Sequence, residues 1–230
     1  MPHGGPRTNG EVPRTTPPSR TALLPDICYT LRRKVTAFLE QPSDDQLVRA
    51  TQAQARVAMG VIEEALQSYT HDQISLAYNG GKDCLVLLVE AFVAASTRTY
   101  HLDLERYALP MRAALDAYIR DRPAVRAVFM GTRRTDPHSE FLGHFSPTDG
   151  DWPRIMRVNP LLDWRYAEIW SFIRGLEVGF CCLYDRGFSS LGGLNNTRPN
   201  PALALDGEGK RFRPAYELVR DEEERLGRDR

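Results

Sequence analysis

The sequence predicts an α/β domain built on a parallel sheet, and three observations carry that expectation. Short strand-like runs alternate with helical patterns from about residue 73 to residue 131, and strands separated by helices pair in parallel with ligand sites at their carboxyl ends. The first such run, QISLAYN, breaks into Asn79-Gly80-Gly81-Lys82-Asp83, and the LVLLVEAFVAA that follows is apolar at nearly every position, as suits a helix buried on most faces. A later run, AVRAVFMG, ends at Gly131 and passes straight into TRRTDPHSE, so two polar clusters are expected at one sheet edge.

The elements follow in order. Residues 1–25 are rich in Pro, Gly, Thr and Arg without a period and read as a disordered leader; residues 26–230 read as one domain. ICYTLRRKVTAFLEQ is an amphipathic helix, and QLVRATQAQARVAMGVIEEALQSY is another, opened by the capping residues Ser43-Asp44-Asp45. QISLAYN is the first strand, with a helix from Asp83 to about Ser96. RTYHLDLERY alternates polar and apolar positions as a second strand, MRAALDAYIRD is a helix after Pro110, and AVRAVFMG is the third strand. FSPTDGDWPRIMRVNPLLDW reads as a long connection, then WRYAEIWSFIRGL as a helix capped by Asp163. YDRGFSSLGGLNNTRPNPAL is long and aperiodic, which points to a functional loop, and PAYELVRDEEERLGRDR reads as a charged helix.

Composition narrows the function. Thirty Lys and Arg offset thirty Asp and Glu in 230 residues, of which 42% are hydrophobic, so no nucleic-acid partner is implied. The apolar run near 84–95 is too short for a membrane span and no secretory h-region opens the chain, so the expected location is cytoplasmic. Cys28, Cys84, Cys181 and Cys182 lack metal-ligand spacing and read as reduced thiols.

The strand-to-helix junction collects unpaired backbone N–H groups and the positive end of a helix dipole, both favourable to an anion. NGGKD lacks the spacing of a Walker A loop. Its glycines still admit a phosphate, Lys82 supplies a charge and Asp83 suits Mg²⁺; the alternative is a plain turn whose Asp83 caps the helix. Asp136 opposite Asp83 would share the Mg²⁺, with Arg133 and Arg134 neutralising phosphate charge.

AYNGGKDC, GTRRTDP, FSPTDGDWPRIMRVNPLLDWRYAEIW and LYDRGFSSLGGLNNTRPNP, in this order, resemble the eukaryotic FAD synthase (FMN adenylyltransferase) family, in the PAPS reductase-like branch of the adenine nucleotide α-hydrolase folds. The resemblance runs from about residue 30 to the end. It implies that Tyr78, Asn79, Gly80, Gly81, Lys82 and Asp83 bind ATP, that Asp83 and Asp136 hold Mg²⁺, and that Arg133 and Arg134 face the reacting phosphates. It also implies flavin contacts from Asp151, Trp152, Arg157 and Asn159, and a tail whose Arg225 and Arg228 return to the active site. Core packing for Trp152, a loop cap for Asn159 and a solvated helix face for the arginines are the competing roles.

The chain departs from the family in one place. VEAFVAAS runs almost at once into TRTYHLDL, without the intervening strand, Phe-Pro-Glu turn and helix; a β-α unit of about thirty residues is missing, and with it a wall of the adenine pocket. The resemblance implies Mg·ATP + FMN → FAD + pyrophosphate, with ATP and FMN as small-molecule substrates and no protein partner. An inactive flavin- or nucleotide-binding remnant is the alternative. A PAPS reductase would need a catalytic cysteine near the C-terminus, and residues 205–230 contain none.

Overall fold

A computed structural model describes residues 24–95, 105–193, 195–206 and 209–228. The leader falls outside these residues up to position 23, as do most of the expected second strand and the site of the missing unit after Ser96.

Helix α1, Leu24–Glu40, leads into α2, Gln46–Ser68. The Asp45 carboxylate caps α2 by accepting from the Leu47 N–H at 2.7 Å, as a helix N-terminus requires. Buried Gln52 on α2 donates to the Phe38 and Gln41 carbonyls at 2.7 and 2.8 Å, satisfying acceptors that the end of α1 leaves open. Along α2 the small residues Ala55, Ala58 and Ala65 are wholly buried, so the core-facing stripe admits close neighbours. Strand β1, Ile74–Leu76, then gives way to α3, Lys82–Ala95.

After α4, Met111–Asp121, come β2, Ala127–Phe129, β3, Phe145–Pro147, β4, Met156–Val158, and α5, Tyr166–Gly175. The sheet order is β1-β2-β4-β3. Strands β1, β2 and β4 run parallel, with Ser75 beside Val128 and Val128 beside Arg157; β3 is antiparallel, with Ser146 beside Arg157. The parallel α/β reading therefore holds. Val86, Leu87, Ile62, Trp164, Phe172 and Ile169 centre the core between the sheet and the helices. No described helix is long and apolar enough to cross a membrane.

Three expectations are corrected. The 145–164 connection contains the β3–β4 hairpin: Pro147 and Pro153 mask strands that are only three residues long. Asp163 does not cap α5; it pairs with Arg134, while Glu168 accepts from the Arg165 N–H at 2.7 Å and Asp221 accepts from the Tyr166 N–H at 3.1 Å. The C-terminal segment is not one charged helix but short 3-10 turns at Ala215–Glu217 and Asp221–Glu223, because its side chains and backbone bond inward to distant segments.

Candidate active site

The glycine loop is set by backbone needs. Gly80 has φ of 79°, a left-handed conformation that a side chain would oppose, and the Asn79 side-chain oxygen accepts from the Gly81 N–H at 2.9 Å. The Leu85 N–H donates to the Gly81 carbonyl, so the loop opens directly into α3. Across from it, a Cβ on Gly131 would lie 3.0 Å from the Cys84 nitrogen and sulfur. Glycine at the end of β2 thus lets the chain pass close under the first turn of α3 and brings Arg133 against Asp83.

At this junction the Lys82 ammonium meets Asp83 Oδ2 at 3.0 Å and Glu224 Oε1, and lies 5.0 Å from the centre of the Tyr166 ring. Arg133 Nη2 meets Glu224 Oε2. Arg133 Nε stands 2.7 Å from Asp83 Oδ1, an ion-pair distance too misaligned for a hydrogen bond. The Lys82 and Arg133 side chains are 2% and 1% exposed. Asp136 accepts from the Arg133 N–H at 2.9 Å and from Arg225 Nη1 at 3.1 Å. The Tyr184 hydroxyl accepts from the Lys82 N–H at 2.8 Å.

Burial would by itself lower the Lys82 and Arg133 pKa values, yet Asp83 and Glu224 outweigh it and hold both groups above their ordinary ranges. Burial pushes Asp83 up, but Lys82 and Arg133 prevail and hold its carboxyl below the usual range. Asp136 goes the other way: burial, reinforced by the charges of Asp83 and Glu224, raises it against the Arg133 N–H. Burial also pushes Tyr184 up to about 12 and raises Cys84. The cluster keeps its cations charged and its two aspartates unlike.

The structure brings Lys82, Asp83, Arg133, Asp136 and Arg225 together. Arg134 turns away, pairing with Asp163 at 2.6 Å and donating to the Glu140 and Leu142 carbonyls. Arg228 donates to the Leu191 carbonyl at 2.8 Å. Tyr78 is half exposed. Of the expected flavin residues, Asn159 follows β4 and shares the sheet edge of the glycine loop; it is fully buried and donates to the Gly143 carbonyl, while its side-chain oxygen has no partner. Arg157 lies within β4 and donates to the Pro147 carbonyl at 2.7 Å. Asp151 and Trp152 precede β4, at the opposite end of that strand, with Asp151 paired to Arg112 at 3.0 Å.

Glu224 was not among the residues singled out from the sequence, nor was Tyr184. Glu224 adjoins Arg225 in EERLGR, but within an acidic run it reads as a solvated charge. Its 5% exposure depends on the tail's return to α3. Tyr184 lies in the aperiodic LYDRGFSSLGG stretch, where no period marks a buried ring. Among the described residues no group of three or more His, Cys, Asp and Glu side chains forms a metal cage.

Residues 100–199 match the phosphoadenosine phosphosulfate reductase domain family. A probable FAD synthase of Caenorhabditis elegans is 33% identical over 85% of this chain and 44% of its own length. The probable FAD synthase of Schizosaccharomyces pombe is 32% identical over 84% of each chain. The crystal structure of a yeast FAD synthetase in complex with FAD superposes with a TM-score of 0.79 at 25% identity, covering 90% of this chain and 99% of that one. The chain thus spans less than half the length of the nematode relative. The fission-yeast alignment runs over 228 positions but takes up 84% of this chain's 230 residues, so about 35 positions face a gap in this chain. At that identity and mutual coverage with the fission-yeast protein, the chain belongs to the FAD synthase family.

Proposed function

We propose that the chain transfers the adenylyl group of Mg·ATP to FMN, giving FAD and pyrophosphate. The observation that supports it is the convergence of Lys82 and Asp83 after β1, Arg133 and Asp136 after β2, and Glu224 and Arg225 from the tail. Phosphoryl chemistry of this kind asks a protein for positioning and charge neutralisation rather than for a covalent residue. The FMN phosphate is ionised at neutral pH and attacks the α-phosphorus; the P–O bond to pyrophosphate breaks. No protein group needs to remove a proton.

The donor set fits Mg²⁺ in the mode that uses one or two carboxylates together with substrate phosphates. Asp83 Oδ1 is buried beside Arg133 Nε at 2.7 Å without a hydrogen bond, and Asp136 is raised by burial, reinforced by the charges of Asp83 and Glu224; an added cation would stabilise the ionised form of Asp136. Asp83 and Asp136 would hold the ion, which supplies charge neutralisation on the phosphates when bound. Arg225, 44% exposed, is free to exchange its carboxylate for a phosphate oxygen. FMN would run along the β3–β4 hairpin, phosphate toward the glycine-loop edge and ring toward Trp152, with Arg157 between; three strand residues span about 10 Å. The reaction belongs in the cytoplasm, without nucleic acid or protein partner.

The test is FAD formation by the purified chain from ATP, FMN and Mg²⁺, read chromatographically, with pyrophosphate released in equal amount. Absence of FAD alongside measurable FMN binding would favour a second reading, a flavin-binding remnant. The roughly 35 positions of the fission-yeast alignment that face gaps in this chain are what favour that reading.

A further inference from the structure

A lysine in a phosphate-binding loop is expected to point at phosphate, but the Lys82 ammonium does not face solvent. Its side chain is 2% exposed, and its polar contacts are the carboxylates of Asp83 and Glu224. Arg133, 1% exposed, reaches the other oxygen of Glu224. A triphosphate arriving from solvent therefore meets the exposed guanidinium of Arg225 before it meets either buried cation. The backbone around Glu224 is fastened as well. Ser189 Oγ donates to the Glu224 carbonyl at 2.6 Å, Asn200 Nδ2 donates to Ser189 Oγ and to the Glu223 carbonyl at 2.7 Å each, and the Arg198 N–H donates to the Gly227 carbonyl at 2.8 Å.

We propose that Glu224 is a positioning residue: its carboxylate, bridged between Lys82 and Arg133, pins the tail to the ends of β1 and β2 and so fixes where Arg225 stands over the phosphates. Lys82 then acts through Glu224 rather than on the nucleotide. Buried ion pairs contribute little stability compared with apolar packing of the same volume, so what this bridge supplies is a fixed geometry for the residue that follows it. The inference rests on the adenylyl-transfer reading for its kinetic arm alone.

The experiment uses the full chain with Glu224→Gln, Glu224→Asp and Arg225→Ala, and the double variant Glu224→Gln/Arg225→Ala. FAD formation is followed at varied ATP, and hydrogen exchange is followed across residues 214–228. Glu224→Asp retains the charge if Glu224→Gln fails to fold. Either change should lower kcat by about tenfold or more while KM for ATP stays within about threefold. Arg225→Ala should cost far less in the Glu224→Gln background than alone, because the arginine is already misplaced. Tail amides should exchange faster in Glu224→Gln while those of α2 keep their protection. Additive losses in the double variant, or an ATP KM that rises at constant kcat, would overturn the proposal. If the unaltered chain makes no FAD, the activity reading falls and exchange decides alone: unchanged tail exchange in Glu224→Gln sinks the positioning role.

Discussion

Asp83 and Asp136 have the same functional group and opposite electrostatic situations. The ionised form of Asp83 is favoured in the fold by Lys82 and Arg133 despite burial. That contribution is whole above the unfolded value of about 3.9 and vanishes as pH falls through the lower folded value. The ionised form of Asp136 is disfavoured by burial and by Asp83 and Glu224; its cost is present above the raised folded value and disappears below the unfolded one. At pH 7, Asp83→Asn should therefore destabilise by about 3 kcal/mol, the cost of leaving buried charge uncompensated, or about 6–12 °C in Tm. Asp136→Asn should not lower Tm at all, since an amide oxygen still accepts from the Arg133 N–H. Both differences should shrink as pH is brought down toward about 3. Calorimetric scans from neutral to acid pH check this; equal losses from both variants at pH 7 would show that the aspartates share one environment.

At the scale of elements, the tail is held by close approaches that two glycines permit. A Cβ on Gly192 would run into the guanidinium of Arg228, the movable end of a long side chain. A Cβ on Gly227 would run into the carbonyl oxygen of Arg198, which is backbone. Gly192→Ala should thus displace Arg228 with little change in Tm, whereas Gly227→Ala should separate the tail from residues 197–198 and lower Tm by several degrees, about 1–3 kcal/mol. If Arg228 serves the phosphates, Gly192→Ala also cuts FAD formation by about tenfold; full activity with a displaced arginine would make Arg228 a structural strut. Helices α2 and α3 were legible because period and capping are local. The tail was not legible: EEERLGR carries helix-forming residues, and what denies it a helix is the remote pull of Lys82, Arg133, Ser189 and Asn200 on Glu224. The family resemblance implies Arg225, whereas nothing in the residues themselves marks Glu224 beside it.

At the scale of the molecule, the proposed phosphate end is supported by the buried charge cluster, and the proposed base end less so. Strand order β1-β2-β4-β3 places the glycine loop, Arg133 and Asn159 at one sheet edge, with β2, buried throughout, and β4 each between two neighbouring strands. Strand β1 pairs with β2 on one side, and among the described residues no strand pairs with its other side. The resemblance to FAD synthases implies a further β-α unit bearing adenine contacts, and about 35 positions of the fission-yeast alignment have no counterpart in this chain. In the proposed reading, phosphate binding would draw on loop amides and the tail arginine, and flavin binding on the hairpin downstream, so neither would depend on that unit. Base recognition would, because a site that reads an exocyclic amine loses its discrimination when the paired groups are absent. ATP and GTP should accordingly bind with affinities within about tenfold of each other, and FMN and FAD should bind more tightly than either. Inserting a strand, Phe-Pro-Glu turn and helix between Ser96 and Tyr100 should restore a preference for ATP over GTP without altering FMN affinity. Calorimetric titration of the two chains with the four ligands measures this, and strong ATP selectivity in the unaltered chain would place base recognition on the residues that remain.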